Sequence, residues 1–142
     1  MNTASDDDVR RIYERWHDAI TKQDLAGIVS LYAEHAVFES PTVLALAPDR
    51  SDGILRGRSE IERQFATNFG ALAREFRELY RTGLFFSNGR HLTWEYPRLA
   101  PGAEQVDLFE SMDIEDGLIV YHRVYWGWKG LRTLIAARDR AA

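Results

Sequence analysis

A chain of 142 residues with formal charge −4, 45% apolar and 28% charged residues has the length and balance of one globular domain, residues 1–142. Its basic and acidic residues interleave without a basic stripe, no apolar run approaches bilayer length, and no basic-then-apolar order opens the chain, so neither nucleic acid nor membrane is expected as a partner and cytoplasmic is the default location. Cysteine is absent, which excludes disulfides, thiolate metal sites and a cysteine nucleophile.

The ends, residues 1–6 and 139–142, have little to bury and are expected to fray. Ser5 before three Asp predicts a helix start, a hydroxyl cap followed by negative charge where the helix dipole favours it. Val9, Ile12, Tyr13, Trp16, Ala19 and Ile20 then recur at helical spacing. The turn at Lys22-Gln23-Asp24 leads to a second helix, capped by Asp24, with Leu25, Ile28, Val29, Leu31 and Tyr32 as its apolar stripe. Ala36 to Ser40 reads as a short strand stopped by Pro41. Thr42 to Gly53 reads as a flexible loop, a candidate flap, and Ile54 to Arg56 as a brief strand. Ser59 with Glu62 forms a capping-box pattern that opens a third helix carrying Ile61, Phe65, Phe69 and Leu72.

From there strands are predicted: Phe76 to Phe86, turning at Asn88-Gly89; His91 to Leu99, turning at Pro101-Gly102; Gln105 to Ile114, turning at Asp116-Gly117; and Leu118 to Trp128. Helical periodicity from Gly130 to Arg138 is weak. Helices first and an antiparallel meander afterwards define an α+β class. The excess of rings, four Trp, six Tyr and seven Phe, suits either a core or a cavity lining.

Three local phrases are similar to one family. Gln23 to Phe38 (QDLAGIVSLYAEHAVF) resembles the helix-two-to-strand-one signature of SnoaL-like proteins, Gly57 to Ile61 their third-helix entry, and Glu115 to His122 (EDGLIVYH) their last hairpin. The resemblance, to the SnoaL-like, nuclear-transport-factor-2-like (ketosteroid isomerase-like) superfamily, implies three N-terminal helices on a curved antiparallel or mixed sheet. That cystatin-like cone would open to an apolar pocket. Its members include ketosteroid isomerases, limonene epoxide hydrolases, scytalone dehydratases, polyketide cyclases and non-catalytic binding or scaffold proteins, so function rests on the pocket residues.

Strand alternation puts Val120, His122, Val124 and Trp126 on one face of the last strand, and Leu108, Glu110, Met112 and Ile114 on one face of the strand before. The resemblance implies that these two sets face inward. Glu110 and His122 are then the candidate catalytic residues, either an acid–base pair in an apolar cavity or a structural hydrogen bond between strands. Trp16, Ser40, Tyr32, Trp94, Met112 and Trp126 are the candidate substrate-binding residues, with Trp16 and Ser40 as donors. Tyr13, Phe65 and Phe69 fit plain core packing better.

The catalytic patterns of the family do not transfer whole. Ser40 stands where the isomerases resemble one another in an Asp base, and Trp16 stands where they have an oxyanion-binding Tyr; only Glu110 matches their second acid. Val124 replaces the Asp that follows the His position in the hydrolases and cyclases, and Thr93 to Tyr96 offers no Arg for an epoxide-hydrolase pair. Glu39 becomes a substitute base only if its strand shifts register at Pro41; in register it points outward.

No metal is expected, because His17, His35, His91 and His122 lack ligand spacing. No cofactor is expected either, since neither a Gly-rich phosphate loop nor a nucleophile elbow occurs. The expected activity is cofactor-independent acid–base catalysis (isomerase, cyclase, dehydratase or hydrolase) on a small apolar organic ligand. The alternative is a non-catalytic binding or accessory protein. A homodimer through the outer sheet face at Tyr121, Arg123 and Tyr125 suits either.

Overall fold

In the computed structural model, which describes residues 5–77, 79, 81–96 and 106–141, six helices and a six-stranded mixed sheet form the α+β cone. Helix α1 (Asp6–Lys22) starts with a complete capping box: Ser5 Oγ accepts from the Asp8 backbone N–H and the Asp8 carboxylate accepts from that of Ser5. It stops at Gln23, whose φ of 56° is left-handed. Asp24 caps α2 (Leu25–Val29) by accepting from Gly27 N. Strand β1 (Tyr32–Glu39) begins earlier than the apolar alternation indicated.

The stretch expected to be a flap starts instead as helix α3 (Pro41–Leu46). Pro41 occupies its first turn, where its missing N–H costs nothing, and Ser40 Oγ accepts from Thr42 N at 3.2 Å. The same Pro that ends a strand here begins a helix. Strand β2 (Ile54–Arg56) follows as expected. The capping box assigned to Ser59 and Glu62 does not form. Helix α4 (Arg58–Ala71) starts two residues earlier, from Gly57 at φ 92°, without a side-chain cap. Glu60 is the acid that reaches back, accepting from Arg56 N at 2.8 Å.

Helix α5 (Ala73–Arg77) takes the first two residues of the strand predicted from Phe76 to Phe86, and among the described residues from there to the Asn88-Gly89 turn only Phe86–Ser87 pairs, as β3. Phe76 turns inward from that helix and is buried. Strand β4 (His91–Glu95) is reached through Asn88-Gly89, where Asn88 Oδ1 accepts from Arg90 N and His91 N. The Pro101-Gly102 turn lies outside the described residues. Strands β5 (Leu108–Glu115) and β6 (Leu118–Trp126) join through Asp116 and Gly117, both at positive φ, the tight turn that an Asp-Gly pair favours. After Trp126 the chain leaves the sheet and forms helix α6 (Trp128–Ala141), where helical periodicity is weak.

Strand order is β2-β1-β6-β5-β4-β3, with β1 parallel to β6 and the other neighbours antiparallel. Leu92, Met112, His122, Phe38 and Leu55 pair in succession across it, all buried. The next row outward in register, Thr93, Ser111, Arg123 and Glu39, alternates to the other face. One shift corrects the simple alternation. Between Asp113 and Ile114 the register slips, so Ile114 pairs with Ile119, and Ile119 is fully buried where Val120 was expected.

His17 on α1 is buried against Tyr13, Trp94 and Tyr96. Its Nδ1–H donates to the Tyr13 carbonyl at 2.7 Å, and Nε2 has no partner among the described residues. Burial pushes its pKa down to about 4, with the Tyr13 carbonyl opposing. The folded state therefore holds His17 neutral while the unfolded chain protonates near pH 6.5. The unfolded state binds the extra proton, so stability falls as pH drops below 6.5 and this loss levels off below about 4. Urea unfolding at pH 7 and pH 5 should show about 2 kcal/mol lost, and the His17→Phe protein should lose correspondingly less.

Candidate active site

Glu110 and His122 sit on adjacent strands, β5 and β6, two residues out of direct register and so diagonal on one face, since Glu110 pairs with Val124 and His122 with Met112. Both face inward, and both are buried. His122 Nε2 lies 2.5 Å from Glu110 Oε2, and His122 Nδ1 lies 2.6 Å from the Tyr32 hydroxyl. Burial, followed by the Glu110 charge, holds the Tyr32 pKa well above the ordinary phenol range, so its proton stays on oxygen. With Nδ1 as its partner, Tyr32 donates to that nitrogen. The imidazole proton then belongs on Nε2, donating to the carboxylate. The result is a directed array, Tyr32 to His122 to Glu110, whose last member is a proton acceptor.

Aromatic packing fixes the array. Trp16 and Phe38 meet the His122 ring edge-to-face at 5.0 and 4.9 Å, and Phe65 packs against Trp16, Tyr32 and Phe38. Tyr96 adds a second neutral phenol: burial first and Glu110 second raise its pKa well above the ordinary value. Replacing Tyr32 with Phe should therefore cost about 1–2 kcal/mol in denaturant unfolding, and should shift the nitrogen resonances of His122 as its tautomer is released.

Glu110 and His122 line a cavity that they share with Trp16, Ser40 and Trp126. It is narrow, with a free volume of about 30 Å3, enough for a water. Tyr32, Trp94 and Met112, expected to touch substrate, do not line it. Tyr32 stands behind His122; Met112 is fully buried beside it on β5; Trp94 packs behind Trp16 and against Tyr13. In each case the residue shares the inward face, but a larger ring or the imidazole stands between it and the opening.

The expected donors are already engaged. Trp16 Nε1–H donates to the Tyr96 hydroxyl at 3.2 Å. Ser40 Oγ donates to Thr42 Oγ1 at 3.0 Å while accepting from Thr42 N and, at 3.3 Å, from Trp126 Nε1. The sequence reading missed Asn68. This buried α4 residue lines the cavity, and its Oδ1 accepts from Gln64 Nε2 at 2.8 Å, which leaves its amide N–H groups as donors. The available signal was a polar pair, Gln64 and Asn68, four apart on the stripe that carries Ile61 and Phe65. Glu39 faces outward, accepting from Tyr121 at 2.9 Å. Among the described residues no cluster of His, Asp and Glu has the makings of a metal site.

A curved sheet with helices on its concave side, enclosing a cavity at its centre, is the architecture of nuclear-transport-factor-2-like, cystatin-like proteins. The profile of the SnoaL-like domain family matches residues 13–122, and the chain belongs to that family. No protein of curated function matches it. Among solved structures it is similar to a SnoaL-like protein of unknown function from Burkholderia thailandensis, at 17% identity and TM-score 0.69, covering 89% of this chain and 99% of that one. It is also similar to a polyketide cyclase candidate from Sinorhizobium meliloti, at 19% identity and TM-score 0.55, with coverage of 81% and 94%. A ketosteroid isomerase candidate from Kribbella flavida matches at 16% identity and TM-score 0.53, with coverage of 85% and 78%. At these identities the likeness is one of fold.

Proposed function

We propose that this protein is a cofactor-independent acid–base enzyme acting on a small, lipophilic carbonyl compound, in the range of isomerase, cyclase, dehydratase or hydrolase chemistry. The observation that carries this reading is the Glu110 carboxylate, buried on the cavity wall and held by His122 at 2.5 Å. Such a group takes a proton from a carbon acid when the charge left behind is stabilised. Asn68 is positioned to supply that stabilisation by donating to the substrate oxygen. Glu110 would take the proton from carbon, the electron pair would move into the carbonyl as an enolate, and the same carboxyl would return the proton at the new position. His122 and Tyr32 hold the carboxylate in place, and the Trp16, Phe38 and Phe65 rings exclude water.

The small free volume favours a second reading, an accessory or binding protein with a self-filled core that pairs as a homodimer. Phe86, Phe109 and Tyr125 are exposed large side chains that would suit such a partner copy. A thermal-shift screen of hydrophobic ketones, epoxides, phenols and fatty acids separates the two. A ligand of the native state raises the melting temperature by linkage, by about 2.7 kcal/mol of stability at a hundredfold excess over Kd. A ketone hit lost in Asn68→Ala, with that protein still folded, supports the enzyme reading. The absence of any hit, with a stable dimer in sedimentation, would sink it in favour of the accessory reading.

A further inference from the structure

Helix α6 buries Leu134 and Ala137 and turns its opposite face outward. On that face Trp128, Leu131 and Ile135 follow one another at spacings of three and four, with 73%, 42% and 42% of their surface exposed. Helix α3, which packs against α6, carries a further exposed apolar residue, Leu44, at 43%. Apolar side chains of this size, aligned on one helix, are not scattered surface residues. The charge of α6 is equally uneven. It carries Lys129, Arg132, Arg138 and Arg140 against Asp139 alone, in a chain whose formal charge is −4. Arg132 lies one turn from Trp128; Arg138, one turn from Ile135, forms an exposed ion pair with Asp139 at 3.2 Å, and the helix as a whole keeps a net positive charge beside the stripe.

From this combination we infer that the α6 face docks on an anionic lipid surface, with Trp128, Leu131 and Ile135 entering the interface and the arginines meeting lipid headgroups. An apolar stripe on a single convex helix of net positive charge matches a planar interface, and Trp is at home at the boundary of headgroup and hydrocarbon. A second copy fits less well, since symmetric pairing brings together two α6 faces of the same net positive charge. Docking needs no spanning segment, and none of the described helices is long and apolar enough to cross a membrane.

The inference deepens the reading of a lipophilic substrate and rests on it for its purpose. Ser40, the cap of α3, and Thr42 on its first turn both line the cavity, so the docking face adjoins the cavity wall. A substrate dissolved in the bilayer would enter from that side.

The test is co-sedimentation of the full chain with vesicles of phosphatidylcholine alone and of phosphatidylcholine with roughly one-third phosphatidylserine. The protein should pellet with the anionic vesicles, far less with the neutral ones, and be released at about 0.5 M salt. Trp128→Ala, Leu131→Gln and Ile135→Gln combined should reduce the partition coefficient at least about tenfold. Arg132→Gln with Arg138→Gln should reduce it several-fold, at about fivefold per fully solvated cation.

No pelleting with anionic vesicles, or equal pelleting of the triple variant, overturns the inference. A dimer that the triple variant dissolves, without vesicle binding, assigns the face to a second copy and also overturns it. The thermal shift by a soluble ligand, measured on the same triple variant, reports on the cavity alone. Its persistence while vesicle binding is lost separates docking from the enzyme reading.

Discussion

Replacing Glu110 with glutamine will lower kcat/KM on a substrate of this protein by about a hundredfold or more, while the protein stays folded. The substitution removes the proton acceptor and nothing else of comparable weight. A glutamine carbonyl in the same place still accepts from His122 Nε2, which lies 2.5 Å from the carboxylate oxygen. The buried array therefore keeps its hydrogen bonds, and the change in unfolding free energy should stay within about 1 kcal/mol. Loss of a positioned general base accounts for a factor of about 100 to 10,000 in rate. Steady-state kinetics together with urea unfolding would show the two effects side by side. Turnover by Glu110→Gln at the rate of the unaltered protein would refute an acid–base role for this carboxylate.

His122→Ala has the opposite profile, and its effect falls first on stability. The imidazole is fully buried and has a partner on each nitrogen, Tyr32 on one side and Glu110 on the other. Truncation leaves a phenol and a carboxylate without their partner inside the cone, and leaves a void among Trp16, Phe38 and Tyr32. Leaving a buried carboxylate and a buried phenol unpaired beside a new void costs about 3–5 kcal/mol, in the range of a large-to-small core truncation. Melting should fall by about 10 °C or more, at 2–4 °C for each kcal/mol in a protein of this size. A fall of a degree or two would mean that water reaches Glu110 freely in the folded state, and the carboxylate would lose its status as a desolvated base.

These two substitutions also separate the alternatives that the sequence left open for this pair, an acid–base device or a hydrogen bond between strands. A structural bond alone makes His122→Ala severe and Glu110→Gln silent in every assay. A catalytic carboxylate makes both severe, the first in stability and the second in rate.

The elements that could be read along the chain are those whose cause is local. Ser5 with three Asp after it, Asp24 before Leu25, and Asp116-Gly117 between alternating strands each specify a helix start or turn through neighbours within four residues. The contact between Glu110 and His122 is not set by that turn alone: the hairpin pairs Glu115 with Leu118 and Ile114 with Ile119, and the register shift between Asp113 and Ile114 is what brings Glu110 and His122 to one face. Pro41 is ambiguous even locally: it can end a strand or begin a helix, and Ser40 beside it makes it the latter. Elsewhere, packing outside the local window decided the outcome. Phe76 has the apolar character of a strand residue, yet it belongs to α5 and fills the space beneath α4 beside Phe69.

The sequence by itself determined the α+β class of fold, through periodicity, caps and turns that act over a few residues. The inward face of the last hairpin, with its pair of ionisable groups, came from the resemblance to SnoaL-like proteins and not from periodicity. Only the tertiary structure decided which inward residues reach the cavity. Elements distant in the chain, from α1 to β6, converge there, and ring size and depth place Trp16 on the cavity wall, Trp94 behind it, Met112 beside His122 and Tyr32 beneath it. It also decided who binds whom. Trp16 and Ser40 give their hydrogen bonds to Tyr96 and Thr42, because a buried donor takes the nearest acceptor that packing provides, and this left the donor role to Asn68.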